Sequence, residues 1–316
     1  MAGPTDEREL ADAVAGADGP LRIRGGGTRP IGAPVDGTDF SLAGLSGITL
    51  YEPEALTLVA KAGTPVAEIE AAVSGENQRL PFEPMDHRAL LGTDGTPTIG
   101  GVVAANVSGP RRISAGACRD SLIGVRYVDG TGTVVKNGGR VMKNVTGYDL
   151  VKLMAGSYGT LGVLSEVSFK LLPATASAGT VLLEGLSVQD AVAAMSAALG
   201  SPYEVSGAAH APRGPDGAPL TILRVEGFET QVTYRTGELA TLLARFGEVR
   251  VDTDPGSVAA MWAGVRDAEM FAGSTDDVWR ISVKPTDGGL VADALQGASL
   301  LLDWGGGLVW AGVAPG

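Results

Sequence analysis

The chain has 316 residues, with 24 Lys and Arg against 36 Asp and Glu, a formal net charge of −12. This acidic balance disfavours non-specific attraction to nucleic acid or anionic lipid. One cysteine, Cys118, excludes an internal disulfide, and with only His87 and His210 beside it there is no ligand set for an iron–sulfur or structural zinc centre.

The length suits two domains. Residues 1–20 are acidic and rich in Ala and Gly, so no signal peptide is read there. Gly, Pro or charge breaks every apolar run before the roughly 18 residues that a bilayer span requires. The expectation is a cytoplasmic protein, at most peripheral to a membrane, and any metal redox centre belongs to another chain.

In chain order, Leu21–Arg24 alternates as a short strand and runs into Gly25, Gly26, Gly27 and Thr28. Glycines free to take positive φ let successive N–H groups converge on an anion such as a pyrophosphate. A nicotinamide-type site is excluded, because Arg29 and Pro30 continue a loop where an amphipathic helix should open. A plain turn between strands is the competing reading. Residues 55–62 read as a strand, followed by a helix with Thr64 as N-cap and Pro65 at its first position. Residues 80–87 form a proline-stiffened loop ending in His87, either a general base or an ordinary loop residue.

Thr98, Gly100 and Gly101 open a second loop of small residues that also holds Asn106, Ser108 and Gly109. It reads as a second backbone surface for a flat or charged ligand, as a tightly packed helix, or as both. Residues 122–128 and 133–136 form a hairpin around Asp129-Gly130-Thr131-Gly132, and a short helix ends near Met154. A third glycine loop with Gly159, Thr160 and Gly162 feeds a period-two strand from Val163 to Leu171, or is simply a helix C-cap and turn.

The turn-rich stretch 174–179 is expected as a linker between domains 1–173 and 180–316. Beyond it, Ser187 caps an Ala-rich helix ending at Gly200, and helices are expected at 229–246 and 258–271. Strands are expected at 220–225, 278–283 and 300–310, an antiparallel α+β composition. Trp262 and Trp304 suit core positions as well as ligand stacking.

Taken together, Arg24 to Thr28, Thr98 to Gly101 with Asn106 and Gly109, and Gly159 to Leu164 resemble the PCMH-type FAD-binding fold of the vanillyl-alcohol oxidase superfamily. Gly109 to Arg112, Arg119-Asp120, Lys143 to Leu150, Trp279 to Ser282 and Leu302 to Gly306 are similar to the family of FAD-binding E subunits of bacterial glycolate oxidases. The resemblance implies a PCMH-type FAD-binding domain of two α+β subdomains, then an antiparallel α+β cap domain. It also implies a complex with a sister FAD subunit and an iron–sulfur subunit, which oxidises glycolate or a similar small 2-hydroxy acid and passes electrons to the respiratory chain.

By the same resemblance, Gly25, Gly26, Gly27 and Thr28 bind the pyrophosphate. Thr98, Gly100, Gly101, Asn106, Ser108 and Gly109 form a second wall, and Gly159, Thr160, Gly162 and Val163 edge the flavin or ribose. Thr28 stands where some superfamily members carry a flavin-linked His, so FAD is expected to be non-covalent. The basic C-terminal return segment usual in such proteins does not appear before Gly316.

Oxidation of a 2-hydroxy acid on a flavin requires a base, a cation for the carboxylate and a path for hydride. Arg111, Arg112 and Arg280 are candidate clamps, with structural ion pairing as their alternative use. The chain has no His cluster to serve as base, which favours an electron-relaying subunit with no catalytic residue of its own. The alternatives are a self-sufficient dehydrogenase with His87 or Tyr148 as base, and a structural subunit that kept only the fold.

Overall fold

The computed structural model of the protein describes residues 3–32, 35–139 and 147–316. The chain divides into two compact units, the first of residues up to Ser108 with Gly116–Ala174, the second of Gly109–Ala115 with Thr175–Gly316.

The first unit begins with the helix Glu7–Ala15, which Asp6 caps by accepting the Glu9 N–H at 2.8 Å. Leu10 and Val14, one turn apart, bury against Leu42, Leu45, Val128 and Val163. Glu7 is tied to Arg126 and accepts the Ser165 hydroxyl at 2.6 Å, and the Arg126 hydrogen bonds hold its carboxyl below the usual range. Strands β1 (Leu21–Arg24) and β2 (Thr38–Ser41) pair in parallel, so the loop between them is a crossover rather than a hairpin.

The main sheet of this unit contains β3 (Ile48–Glu52) and β4 (Thr57–Lys61), with a separate short pair made by β5 (Gln78–Arg79). It is completed by β6 (Leu122–Val128), β7 (Val134–Gly138) and β8 (Val163–Lys170), in the order β3-β4-β8-β6-β7, and β9 (Leu172–Pro173) partners β5. The hairpin read at 122–136 is β6–β7, closed by the Asp129 carboxylate accepting the Thr131 and Thr133 N–H groups at 2.8 and 3.0 Å.

Two expectations change here. The helix after β4 is Val66–Gly75 with Pro65 as its N-cap. The buried Thr64 does not cap it, because its hydroxyl is engaged with Gly47 and donates to the Lys61 carbonyl at 2.7 Å. The period-two pattern of β8 is only partly one of burial: Leu164 and Ser168 are buried on the same face as the half-buried Glu166 and Lys170, opposite Ser165, Val167 and Phe169. Of the stretch Lys143 to Leu150, residues 143–146 lie outside the described residues.

The second unit is built on one antiparallel sheet. Its strands are β10 (Ser177–Glu184), β11 (Val205–Ala211), β12 (Leu220–Gly227), β13 (Val249–Asp252), β14 (Asp277–Ser282), β15 (Ser299–Asp303) and β16 (Leu308–Val313), in the order β13-β10-β12-β11-β15-β16-β14. The stretch 174–179 enters β10 at Ser177, where pairing with β12 supplies the order that its small side chains do not suggest. Helices Val188–Leu199 and Glu229–Leu243 contribute Met195, Leu239 and Leu243 to one core, with Leu183, Leu223 and Leu302 from the sheet. The Ser187 hydroxyl caps the first of these by accepting the Asp190 N–H at 3.1 Å.

A second cluster packs Val258, Trp262 and Val265 of the helix Pro255–Arg266 against Leu182, Ala209 and Ile222. That helix starts earlier than its apolar spacing suggests, because Asp254 caps it. It stops at Arg266, because Ala268 takes a left-handed conformation, φ 51°, ahead of a short 3₁₀ turn. The segment expected as one strand at 300–310 is two strands, β15 and β16, joined at Trp304–Gly306.

Candidate functional site

The three glycine loops meet in the first unit around a cleft of about 70 Å³. Its lining includes Gly25 from the first loop, Thr98, Gly100 and Gly101 from the second, and Gly159 and Gly162 from the third, with Ile23, Ala104 and Tyr158 between them. Two separate constraints, positive φ and close approach, call for glycine here. Of the first three, only Gly27 has positive φ, at 70°. Gly25 and Gly26 are required by close approach: a Cβ on Gly25 would sit 2.2 Å from Thr98 Oγ1, and one on Gly26 would sit 1.6 Å from the Thr96 carbonyl oxygen. The first loop is therefore pressed against the second, a reason distinct from left-handed freedom.

The chemistry exposed by that packing suits an anion. Among the described residues, the N–H groups of Gly26, Gly27, Thr28 and Gly101 have no acceptor. Thr98, a buried residue, lines the cleft, and its hydroxyl makes no hydrogen bond to a described residue. Gly100, on the helix Ile99–Ala104, lies so near Ala62 that a Cβ would meet its carbonyl oxygen at 2.7 Å.

Arg29, just beyond the glycine motif, is half-buried, donates from Nη2 to the Gly101 carbonyl and has no carboxylate partner among the described residues. Burial lowers its pKa. No sequence pattern marks this residue, because lacking a partner is a property of three dimensions.

The remaining expected site residues lie in other roles. Thr28 faces Gly95, and its carbonyl accepts the Thr93 hydroxyl at 3.1 Å. The Asn106 side-chain oxygen accepts the Arg119 N–H at 3.0 Å, and Ser108 Oγ accepts the Cys118 N–H at 3.0 Å, so these two acceptors hold the turn at Cys118–Ser121. Gly109 groups with the second unit, where its carbonyl accepts from Trp304 Nε1 at 3.1 Å. Thr160 is exposed and donates to the Ser157 carbonyl, and Val163 is buried in the core beside Leu10. Cys118 is fully buried, which pushes its thiol pKa up.

The candidate bases are not in the cleft. His87 is buried ahead of the short helix Arg88–Leu91, and Tyr148 is 88% exposed. His210, on strand β11 of the second unit's sheet, is buried with Nδ1 2.9 Å from Thr221 Oγ1, and burial lowers its pKa to about 4.

Of the candidate clamps, Arg111 is held by Glu226 at 2.7–3.1 Å, and the buried Arg224 lies 3.5 Å from the same carboxylate. Arg112 and Arg280 stack on Trp304, 4.5 and 5.1 Å from its ring centre. No group of three or more His, Cys, Asp or Glu among the described residues is arranged to hold a metal. No helix among them is long and apolar enough to cross a membrane.

Comparison with known proteins fits this geometry. Residues 1–138 match the family model of an FAD binding domain. Among solved structures, alkyldihydroxyacetonephosphate synthase superposes with a TM-score of 0.73 at 17% identity, covering 98% of this chain and 65% of that one. Substrate-bound p-cresol methylhydroxylase superposes with a TM-score of 0.70 at 13% identity, covering 98% and 74%.

The fold is that of the PCMH-type FAD-binding proteins, and the matched domain makes FAD its cofactor. The chain is 36% identical to glycolate oxidase subunit GlcE of Escherichia coli over 92% of its own length and 75% of the relative's, and it belongs to the GlcE family. Glycolate oxidase subunit GlcD of Bacillus subtilis is 32% identical over 52% of this chain and 34% of its own length.

Proposed function

We propose that this chain is the FAD-carrying E subunit of a multi-subunit glycolate, or similar 2-hydroxy-acid, oxidase. It relays electrons from substrate oxidation on a sister flavin subunit toward an iron–sulfur subunit and the respiratory chain. The observation that carries the reading is the cleft at the three glycine loops, which offers unpaired N–H groups and a hydroxyl but no histidine. Membership of the GlcE family supplies the substrate class and the idea of sister subunits.

In this reading, Gly25, Gly26, Gly27 and Thr28 hold the FAD diphosphate by their backbone, with Thr98, Gly100 and Gly101 as the facing wall. Gly159 and Gly162 edge the flavin or ribose. FAD supplies the redox chemistry, and the chain binds it, orients it and keeps water from it. Binding is non-covalent, since Thr28 offers no imidazole for a flavin link.

In the same reading the complex lies in the cytoplasm, with any association with the inner face of the cell membrane made through its partner subunits. The test is the visible spectrum of the purified chain under anaerobic glycolate, alone and with its partners. Flavin bands that bleach only in the complex support the relay. Bleaching of the isolated chain, abolished by His87→Ala, shows that it oxidises the substrate itself.

A further inference from the structure

The geometry points to Arg29 as a positioning residue for the cofactor, supplying the counter-charge to the FAD diphosphate beside the glycine N–H groups. This rests on the cleft being the FAD site and adds a residue that the glycine motifs do not contain. The first observation is where the side chain ends. Arg29 leaves the first loop, and its Nη2 reaches the carbonyl of Gly101, which lines the cleft in the second loop. A methyl group on Gly101 would stand 4.0 Å from that nitrogen. The titratable groups that act on its charge are Tyr158, also in the cleft lining, and Cys118, neither of them a carboxylate.

The second observation is what the guanidinium lacks. It has five N–H donors, and one carbonyl is its hydrogen-bonding partner among the described residues. A half-buried cation without a counter-ion carries an uncompensated desolvation cost, which an anion in the adjoining cleft would offset. The neighbouring groups select the same kind of ligand. Thr98 Oγ1 and the N–H groups of Gly26, Gly27 and Gly101 all await an acceptor, so a ligand with several anionic oxygens fits better than a single carboxylate.

Because the Arg29–Gly101 contact joins the first and second loops, occupancy of the cleft and order of the first loop at Gly27–Arg29 are coupled. Cofactor-free chain should hold this loop less firmly than loaded chain.

The experiment strips the chain of flavin and titrates it with FAD, read by flavin fluorescence, and with ADP, read by calorimetry. Arg29→Gln and Arg29→Lys are compared with the wild type at two salt concentrations. Loss of a charge-assisted contact predicts that Arg29→Gln weakens FAD and ADP alike by about 10- to 100-fold, with a shallower salt dependence. Arg29→Lys, which keeps the charge but not the fork, should fall between the two.

Arg29→Gln that binds both ligands as tightly as wild type, with or without a lower melting temperature of the flavin-free chain, overturns the inference and leaves Arg29 a bridge between loops. A wild-type chain that takes up neither FAD nor ADP overturns the cleft assignment itself.

Discussion

The second unit pairs its central arginines, whereas the first, which pairs Arg126 with Glu7, leaves one cation beside the cleft without a carboxylate. In the second, each central arginine has a partner: Arg111 and Arg224 share the Glu226 carboxylate, and Arg112 and Arg280 lie on the face of Trp304. In the first, Arg29 is half-buried against one carbonyl, beside a buried threonine hydroxyl with no described partner and several free N–H groups. A region whose polar groups satisfy one another is fitted for holding the fold. One whose polar groups remain open is fitted for a ligand. Arginines chosen from sequence as carboxylate clamps fall in the satisfied region, whereas the cation beside the glycine loops has no motif to announce it.

Glu226→Gln should give the largest effect. It leaves the guanidiniums of Arg111 and Arg224 without their shared countercharge and should cost about 3–5 kcal/mol in chemical unfolding. The FAD affinity of the folded fraction should stay within about twofold. A large loss of FAD affinity in protein that remains folded would break the contrast between the units.

Next is Gly26→Ala, whose Cβ would collide with the Thr96 carbonyl oxygen at 1.6 Å. It should cost about 3 kcal/mol and abolish flavin uptake, since the first loop must back away from the second. Retained yellow colour at wild-type stability would show that the two loops are not pressed together.

His210 gives a pH signature of comparable size. Its pKa falls from 6.5 to about 4 on folding, so the unfolded chain takes up this proton first as pH drops. The stability that the neutral imidazole contributes is present above pH 6.5 and is lost as pH falls toward 4, by about 3 kcal/mol in total. His210→Gln should flatten the stability curve in that window, read by urea unfolding at pH 7 and pH 4.5. An unchanged slope refutes the assignment.

The smallest stability effect is expected from Thr98→Val. The hydroxyl removed has no described protein partner, so the flavin-free melting point should hold within about 1 kcal/mol. FAD affinity should nevertheless fall several-fold in titration. A drop in stability without a drop in affinity would place Thr98 with the satisfied groups.

Local chemistry made part of this legible from sequence. The β6–β7 hairpin is declared by Asp129-Gly130-Thr131-Gly132, and the helix after Ser187 by its cap and apolar spacing. Strand β10 escapes because Ser177, Ala178 and Gly179 look like a linker until β12 pairs with them. The burial of Ser168 on β8 escapes because a serine between Glu166 and Lys170 reads as solvent-facing until tertiary packing covers it.

At the site, the glycine positions are visible but not their separate reasons. Gly26 answers to the Thr96 backbone and Gly25 to the Thr98 side chain, some 70 residues further along. Asn106 and Ser108 look like ligand donors, and only the fold shows their oxygens capping the Cys118 turn.

Cys118 offers a handle of another kind. It is the chain's one thiol, fully buried, with its backbone N–H on Ser108 and its side chain within electrostatic reach of Arg29. A thiol-labelling reagent can modify it only when the first unit opens, so labelling kinetics in native buffer count openings next to the cleft. Adding FAD should slow that count by the factor through which binding stabilises the closed form, making an otherwise inert cysteine an internal gauge of cofactor occupancy.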